Sequence, residues 1–129
     1  MYNKILVIEI LEQIIESIDI VRERCGYAVY VDDFMDTKTG QEKLDSICMK
    51  LIAVGESLKN IDKITNYTLL PRYPIIEWKK IKGIRDFISH HYFDLDAEMI
   101  YGICKNNIPE LLSVLVEMKN DLLNNKELK

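Results

Sequence analysis

Residues 4–25 read KILVIEILEQIIESIDIVRERC, and this stretch decides the fold class of the chain. Its apolar residues recur every three or four positions, which is the spacing of one face of an α-helix. Gly26 follows at once and favours a helix end there. Further apolar residues widen the stripe, so we expect this helix to pack against its own bundle and against a partner chain. The stripe consists of Ile5, Ile8, Leu11, Ile15 and Ile18, widened by Leu6, Ile10, Ile14 and Val21.

Helical spacing continues along the rest of the chain. Thr39-Gly40-Gln41-Glu42 is a capping-box pattern, which predicts a second helix that runs to about residue 61. A third helix is expected from about residue 77 to residues 90–92, because Pro71 and Pro74 restrict any earlier helix to a short one. A short helix, capped by Asp94 or Asp96, should follow through residue 104, and a last helix should begin near residue 107. The predicted inner faces are Leu44, Ile47, Leu51, Val54 and Leu58 in the second helix, Trp78, Ile81, Ile84 and Ile88 in the third, and Ile108, Leu111, Leu112, Leu115, Met118 and Leu122 in the last.

These elements predict an all-α fold, an antiparallel helical bundle of about four main helices plus short helices. The chain has 129 residues, which fits a single domain over residues 1–129 with a loose polar tail at about residues 124–129. Residues 27–38 are expected to form an irregular connection with one short turn. Gly55 interrupts the second helix, and close contact between two helices would explain a glycine there.

The three cysteines, Cys25, Cys48 and Cys104, lie far apart and are odd in number. This spacing favours neither a zinc site nor a disulfide framework. We expect them to be small buried side chains in a reducing compartment. Charged residues interrupt the apolar N-terminal stretch, so we expect neither a secretory signal nor a membrane span and predict a cytoplasmic protein.

The formal net charge is −4, which argues against a general nucleic-acid-binding protein. The charge distribution is uneven, however, because cations dominate residues 72–85. Such a basic stripe fits a confined anion-binding site, and it fits equally well the solvated face of a helix. The residues concerned are Arg72, Lys79, Lys80, Lys82 and Arg85, against Glu77.

The two histidines, His90 and His91, are adjacent and lie between Arg85 and Tyr92. Each residue type has a natural role at a phosphate: arginine as a bidentate clamp, histidine as a proton carrier and tyrosine as a hydrogen-bond donor. On a regular helix, however, Arg85 and His90 lie about 140° apart. They can meet around one phosphate only if the helix breaks near Ser89 or if two chains combine their residues. Taken alone, the cluster is also consistent with a histidine at the negative end of a helix.

The stretch from Pro74 to Tyr92, PIIEWKKIKGIRDFISHHY, resembles the signature region of HepT-like proteins of the HEPN superfamily. That signature has a proline shortly before a tryptophan, a glycine two residues before an arginine, and then four residues, a histidine, any residue and a tyrosine. Arg85, His90 and Tyr92 occupy its key positions, and His91 occupies the free one. The resemblance extends to Val54-Gly55-Glu56-Ser57, Phe93-Asp94-Leu95-Asp96 and Ile108-Pro109-Glu110-Leu111, so it covers most of the chain.

The resemblance implies the toxin of a toxin–antitoxin system, a metal-independent endoribonuclease that needs no cofactor and cleaves RNA at the interface of a homodimer. It assigns His90 as general acid or base and Arg85 as the phosphate clamp. It also implies that a cognate nucleotidyltransferase antitoxin of the MntA type attaches AMP to Tyr92. A bulky anionic group there would block the groove sterically and electrostatically.

Two further residues are expected to support the site. Glu56 could pair with Arg85 or with a lysine, and Asp86 lies four residues before His90, where it could orient the imidazole. Trp78 is expected in the core. Glu9, Glu12 and Glu16 share a helix but have no partner histidine in the pattern of a di-metal bundle, so we predict no metal site.

Two other functional classes remain open at this point. The chain could be a non-catalytic nucleotide-binding or regulatory module whose motif serves a partner nucleotidyltransferase as subunit or substrate. It could also be a purely structural helical dimer that has lost activity, which the intact Arg85, His90 and Tyr92 disfavour.

Overall fold

The structure is a computed structural model, and it describes residues 2–90 and 97–124. Within these ranges the chain forms helices and turns and no β-strand, which confirms the all-α prediction. The α-helices are α1 (Lys4–Cys25), α2 (Lys38–Ile64), α3 (Trp78–Lys82), α4 (Ile84–His90), α5 (Ala97–Gly102) and α6 (Ile108–Leu123).

The three long helices form the body of the bundle. α1 packs against both α2 and α6, and α2 also packs against α3 and α4. The predicted inner face of α2 is buried throughout, and that of α6 is buried except for the partly exposed Leu112. The inner face of α1 differs in phase from the prediction, because Ile5 is exposed and Ile8 and Ile15 are only partly buried. The buried residues of α1 are Val7, Ile10, Leu11, Ile14, Ile18, Val21 and Cys25.

The start of α2 differs from the predicted capping box. The helix begins at Lys38, and its N-cap is Thr37 rather than Thr39. The Thr37 hydroxyl oxygen accepts a hydrogen bond of 2.9 Å from the backbone N–H of Gly40, which satisfies one of the free amides of the first turn. α2 also continues to Ile64, about one turn beyond the predicted end.

The C-terminal end of α2 forms a Schellman motif, in which the backbone N–H groups of two residues beyond the helix donate hydrogen bonds to carbonyl oxygens of its last turn. The N–H of Tyr67 donates to the Asp62 carbonyl oxygen at 2.8 Å, and the N–H of Asn66 donates to that of Lys63 at 3.4 Å. Asn66 and Tyr67 both have positive φ angles, of 52° and 60°. Asparagine tolerates this conformation well, but a bulky tyrosine adopts it rarely.

The third helix is interrupted, in contrast to the single helix expected from residue 77. α3 ends at Lys82, Gly83 forms its C-cap, and α4 begins at Ile84. The last helix begins at Ile108, as predicted, and a π-helical segment, Ile103–Asn107, connects α5 to it. The proposed caps of the short helix, Asp94 and Asp96, lie outside the described residues.

The expectation that the cysteines are separate and unpaired is wrong for two of them. Cys25, at the end of α1, forms a disulfide with Cys104 of the π-helical segment, across a sequence separation of 79 residues. Cys48 is free and buried in α2. Sequence spacing did not predict this pair because only the packing of α1 against the C-terminal part of the chain brings the two cysteines together.

The core is one continuous cluster to which α1, α2 and α6 contribute most of the buried side chains. Trp78 belongs to it, as predicted. None of the helices in residues 2–90 and 97–124 is long and apolar enough to span a membrane.

Candidate active site

The candidate site lies where α4 crosses α2, and a glycine permits this close approach. Gly55 of α2 faces α3 and α4, and a Cβ added to it would stand 3.3 Å from the side chain of Ile84 and closer still to the backbone of Ile81. The prediction that Gly55 serves helix–helix contact is therefore confirmed. The next residue along α2, Glu56, consequently faces Arg85 of α4.

Arg85 projects from the surface and is held by Glu56. Its Nη1 donates to Oε1 of the Glu56 carboxylate at 3.4 Å, while the arginine side chain remains 58% exposed. Lys59 Nζ donates to the other oxygen, Oε2, at 3.1 Å. One carboxylate thus holds two cations side by side, whereas the sequence predicted a pair with Arg85 or with a lysine, and it leaves most of the guanidinium accessible to a ligand.

The charge of Glu56 depends on these neighbours. The hydrogen bond from Lys59 is the largest effect and lowers the pKa of the Glu56 carboxyl below its ordinary value of 4.5. Burial opposes it, and the charges of Lys59 and Arg85 and the hydrogen bond from Arg85 lower the pKa further. The carboxylate therefore stays ionised to lower pH than a free glutamate does.

A second ion pair joins α2 to α3, the helix that directly precedes α4. Lys82, at the end of α3, pairs with Asp62 of α2, whose side chain is only 3% exposed. A carboxylate buried to this degree needs a partner, because an unpaired charge in the interior is very costly. The pair therefore fixes the end of α3, and with it the start of α4, against α2.

A third contact fixes the start of α3. The indole N–H of the buried Trp78 donates to the Tyr73 carbonyl oxygen at 3.0 Å. The Tyr73 hydroxyl in turn donates to Asp121 Oδ2 of α6 at 2.8 Å. The segment before α3 is thereby tied to the C-terminal helix, which orients α3 and α4.

His90 lies on the surface at the last residue of α4. Because α4 is continuous from Ile84 to His90, Arg85 and His90 lie about 140° apart around its axis. The helix does not break at Ser89. Of the two arrangements that would bring these side chains together, a helix break and a combination of two chains, the first therefore does not occur. Within one chain, the two side chains diverge.

The other predicted site residues differ in outcome. Asp86 is exposed on α4, and among the described contacts no hydrogen bond or ion pair joins it to His90. Tyr92, the predicted site of AMP attachment, and His91 both lie outside the described residues. The Arg72–Arg85 stripe is partly neutralised, because Lys80 pairs with Glu77 at 3.2 Å, in addition to the pairs of Lys82 and Arg85.

Sequence reasoning missed Asp62 and Lys59. A signal for Asp62 was present, because it lies four residues after Leu58 and seven after Gly55, on the apolar face of α2. An acidic residue at such a position indicates a buried partner. Lys59 lies three residues after Glu56, a spacing at which helix side chains meet.

A profile of the ribonuclease HepT-like family matches residues 8–118, which include most of α1, the whole of α2, the candidate site and most of α6. The chain belongs to this family. Membership agrees with the resemblance drawn from the residues around Arg85 and His90.

Individual relatives of this HepT-like chain have low sequence identity to it, but the matches cover most of its length. An RNase candidate of Methanocaldococcus jannaschii is 27% identical over 114 residues, covering 88% of the chain and 84% of that protein. A protein of Thermococcus cleftensis named as a candidate ribonuclease HepT is 30% identical over 101 residues, covering 78% of the chain and 84% of the relative.

A second M. jannaschii protein, named as a gamma-glutamylcyclotransferase and RNase candidate, is 28% identical over 116 residues. The match covers 90% of the HepT-like chain but only 49% of that longer protein. No solved structure matches the chain at a comparable level of significance.

Proposed function

We propose that this HepT-like chain is an endoribonuclease toxin that acts as a homodimer without a metal ion. The observation that carries the proposal is the divergence of Arg85 and His90 on a continuous α4, with Arg85 held at the surface by Glu56. A two-fold dimer would supply two arginines and two histidines to one groove. Relatives named as RNase candidates over most of their length support RNA as the substrate.

The chemistry is transesterification at an RNA phosphate. One copy of His90 accepts the proton of the 2′-hydroxyl as its oxygen attacks the phosphorus. The bond from phosphorus to the 5′-oxygen breaks, and the other copy of His90 donates a proton to that leaving oxygen. The guanidinium of Arg85 stabilises the extra negative charge on the phosphorane. The products are a 2′,3′-cyclic phosphate and a free 5′-hydroxyl.

Regulation would act on the same groove. A partner nucleotidyltransferase antitoxin would attach AMP to Tyr92, two residues after His90. The added phosphate would compete with RNA for Arg85, and the nucleoside would occupy space between the two chains. Replacing Tyr92 with Phe would remove the acceptor hydroxyl, so AMP on that variant would refute this assignment.

Induced expression of four forms tests the activity: wild type, Arg85→Ala, His90→Ala and Arg22→Ala. Arg22 is a matched control, because its side chain is 59% exposed and also pairs with one carboxylate, that of Asp19. Growth arrest with RNA degradation in wild type and Arg22→Ala alone supports the proposal. Equal behaviour of all four forms would favour the non-catalytic regulatory module instead.

A mixing experiment tests the shared site. Purified wild-type protein is mixed with increasing amounts of the His90→Ala variant at constant total concentration, and the chains are allowed to exchange between dimers. If both histidines of a dimer act in one site, cleavage falls with the square of the wild-type fraction. A linear fall would show that each chain cleaves RNA alone.

A further inference from the structure

The outer face of α2 beside the candidate site carries cations that the proposed chemistry does not use. Lys59 and Lys63 lie three and seven residues after Glu56, so all three share one side of the helix. Lys59 already touches the carboxylate that holds Arg85, which makes the arginine and the two lysines one continuous cationic surface. It extends about 10 Å along α2 from Glu56 to Lys63.

The acidic residues along this surface do not cancel its charge. Asp62 lies between the lysines in sequence, but its carboxylate is buried and paired with Lys82. Glu56 is partly exposed, and its carboxylate is shared between two cations. In a chain whose net charge is −4, this surface is therefore a local positive strip that ends at the proposed clamp.

An aromatic side chain stands at the far end of the strip. Tyr67 follows the last turn of α2 and is 61% exposed. Its backbone is held in the left-handed region by the hydrogen bond from its N–H to the Asp62 carbonyl oxygen. Because Asp62 is itself anchored by Lys82, the tyrosine is attached to a rigid part of the bundle. Cations followed by an exposed aromatic ring are the combination that binds single-stranded nucleic acid.

We propose that RNA flanking the cleaved phosphate runs along α2, with its phosphates on Lys59 and Lys63 and one base stacked on Tyr67. We call these three residues the α2 strand path. At the roughly 3.4 Å rise of a stacked strand, the stretch of about 10 Å from Glu56 to Lys63 accommodates about three nucleotides. The inference rests on the proposed function for its substrate class, but it assigns residues that the cleavage chemistry does not require. It makes the protein specific for single strands long enough to reach beyond the dimer groove.

Binding is measured by fluorescence anisotropy with the full chain and a labelled 2′-O-methyl oligonucleotide of about 12 nucleotides. This probe keeps the phosphates and bases but has no 2′-hydroxyl to react. The double variant Lys59→Gln/Lys63→Gln is compared with Lys38→Gln/Lys50→Gln, a control on the same helix in which one lysine is likewise exposed and the other half-buried. Circular dichroism establishes that each variant is folded.

The path variant should bind more weakly, and the slope of log K against log salt should become shallower by about 1.4, since each lost phosphate contact on a single strand contributes roughly 0.7. Tyr67→Ala should weaken binding about fivefold or more, whereas Tyr67→Phe keeps the ring and the affinity. Tyr30→Ala, which removes another exposed tyrosine, should have no effect. If the path variants bind with the salt dependence of the control, or if the probe does not bind at all, the proposal is overturned.

Cleavage of the corresponding RNA separates this proposal from the ribonuclease proposal. Lys63→Gln and Tyr67→Ala, which leave the carboxylate that holds Arg85 untouched, should raise KM on the long RNA and leave kcat unchanged, with no effect on a dinucleotide. Binding through the path without cleavage by wild type would refute the ribonuclease function alone. Cleavage with an unchanged KM in the path variants would refute the path alone.

Discussion

Gly55 of α2 lies so close to Ile81 of α3 that a Cβ atom added to the glycine would stand 2.9 Å from the Ile81 carbonyl oxygen. That atom belongs to the backbone, which cannot turn away as a flexible side chain can. The separation of α2 from α3 and α4 therefore depends on the absence of one methyl group.

Gly55→Ala should destabilise the protein by about 1–3 kcal/mol through this overlap, despite the better helix propensity of alanine. The shift of α4 should also reduce RNA cleavage. Urea unfolding and a cleavage assay measure the two effects.

Gly102→Ala is the control, because nothing lies within 4 Å of a Cβ added there and the residue is helical. It should gain up to about 1 kcal/mol. Equal stability changes at the two glycines would show that the approach of Gly55 to Ile81 is not tight.

Lys82→Met should destabilise the fold by about 3 kcal/mol, because it leaves the buried carboxylate of Asp62 without its cation. The double variant Asp62→Leu/Lys82→Met should recover most of this loss, since neither charge then remains. Urea unfolding of both single variants and the double variant forms a complete cycle. Additive effects of the two substitutions would mean that the pair contributes no coupling energy.

Glu56 should titrate below its ordinary pKa of 4.5, as measured by NMR of its side-chain carboxyl. Because the pKa of Glu56 is lower in the folded protein than in the unfolded chain, its interaction with Lys59 and Arg85 stabilises the fold at pH values above the unfolded-state pKa. This stabilisation is lost as the pH falls through the folded-state pKa. Lys59→Gln should raise the titration midpoint of Glu56 more than Arg85→Gln does, because the hydrogen bond from Lys59 is the largest cause of the lowered pKa. A midpoint that neither substitution moves would contradict this arrangement.

Tyr73 should make the protein sensitive to alkaline pH. Burial and the hydrogen bond to Asp121 raise the pKa of its phenol above the ordinary value of 10.0. The corresponding stability is present below pH 10.0 and is lost as pH rises through the raised pKa. Tyr73→Phe should lower stability by about 1 kcal/mol at neutral pH and show a weaker alkaline dependence. Denaturant unfolding up to about pH 11 tests this, and parallel curves for the two proteins would refute it.

Much of the helical architecture could be predicted from local spacing alone. The apolar residues in residues 4–25 and on the inner faces of α2 and α6 recur with the helical period, as expected for a helix that buries one side. The phase of α1 could not be predicted in the same way, because apolar residues surround most of that helix. Only its packing against α2 and α6 selects which of them are buried.

The site was predictable in part. The pairing of Glu56 with Arg85 follows from residue types, but the participation of Lys59 and the burial of Asp62 depend on how α2 crosses α3 and α4. The apolar pattern also did not predict the helix interruption at Gly83, because apolar residues continue in helical register on both sides of it. The pairing of Cys25 with Cys104 depends on contacts between distant parts of the chain, which periodicity does not encode.

The hydrogen bond between Tyr73 and Asp121 spans 48 residues of sequence and makes the end of α6 a remote support for α3 and α4. A chain shortened to stop before Asp121 would lose this tether although the cut lies far from Trp78. Disorder would then begin at the entrance to α3 rather than at the new terminus. The C-terminal helix is therefore a poor place to trim this protein.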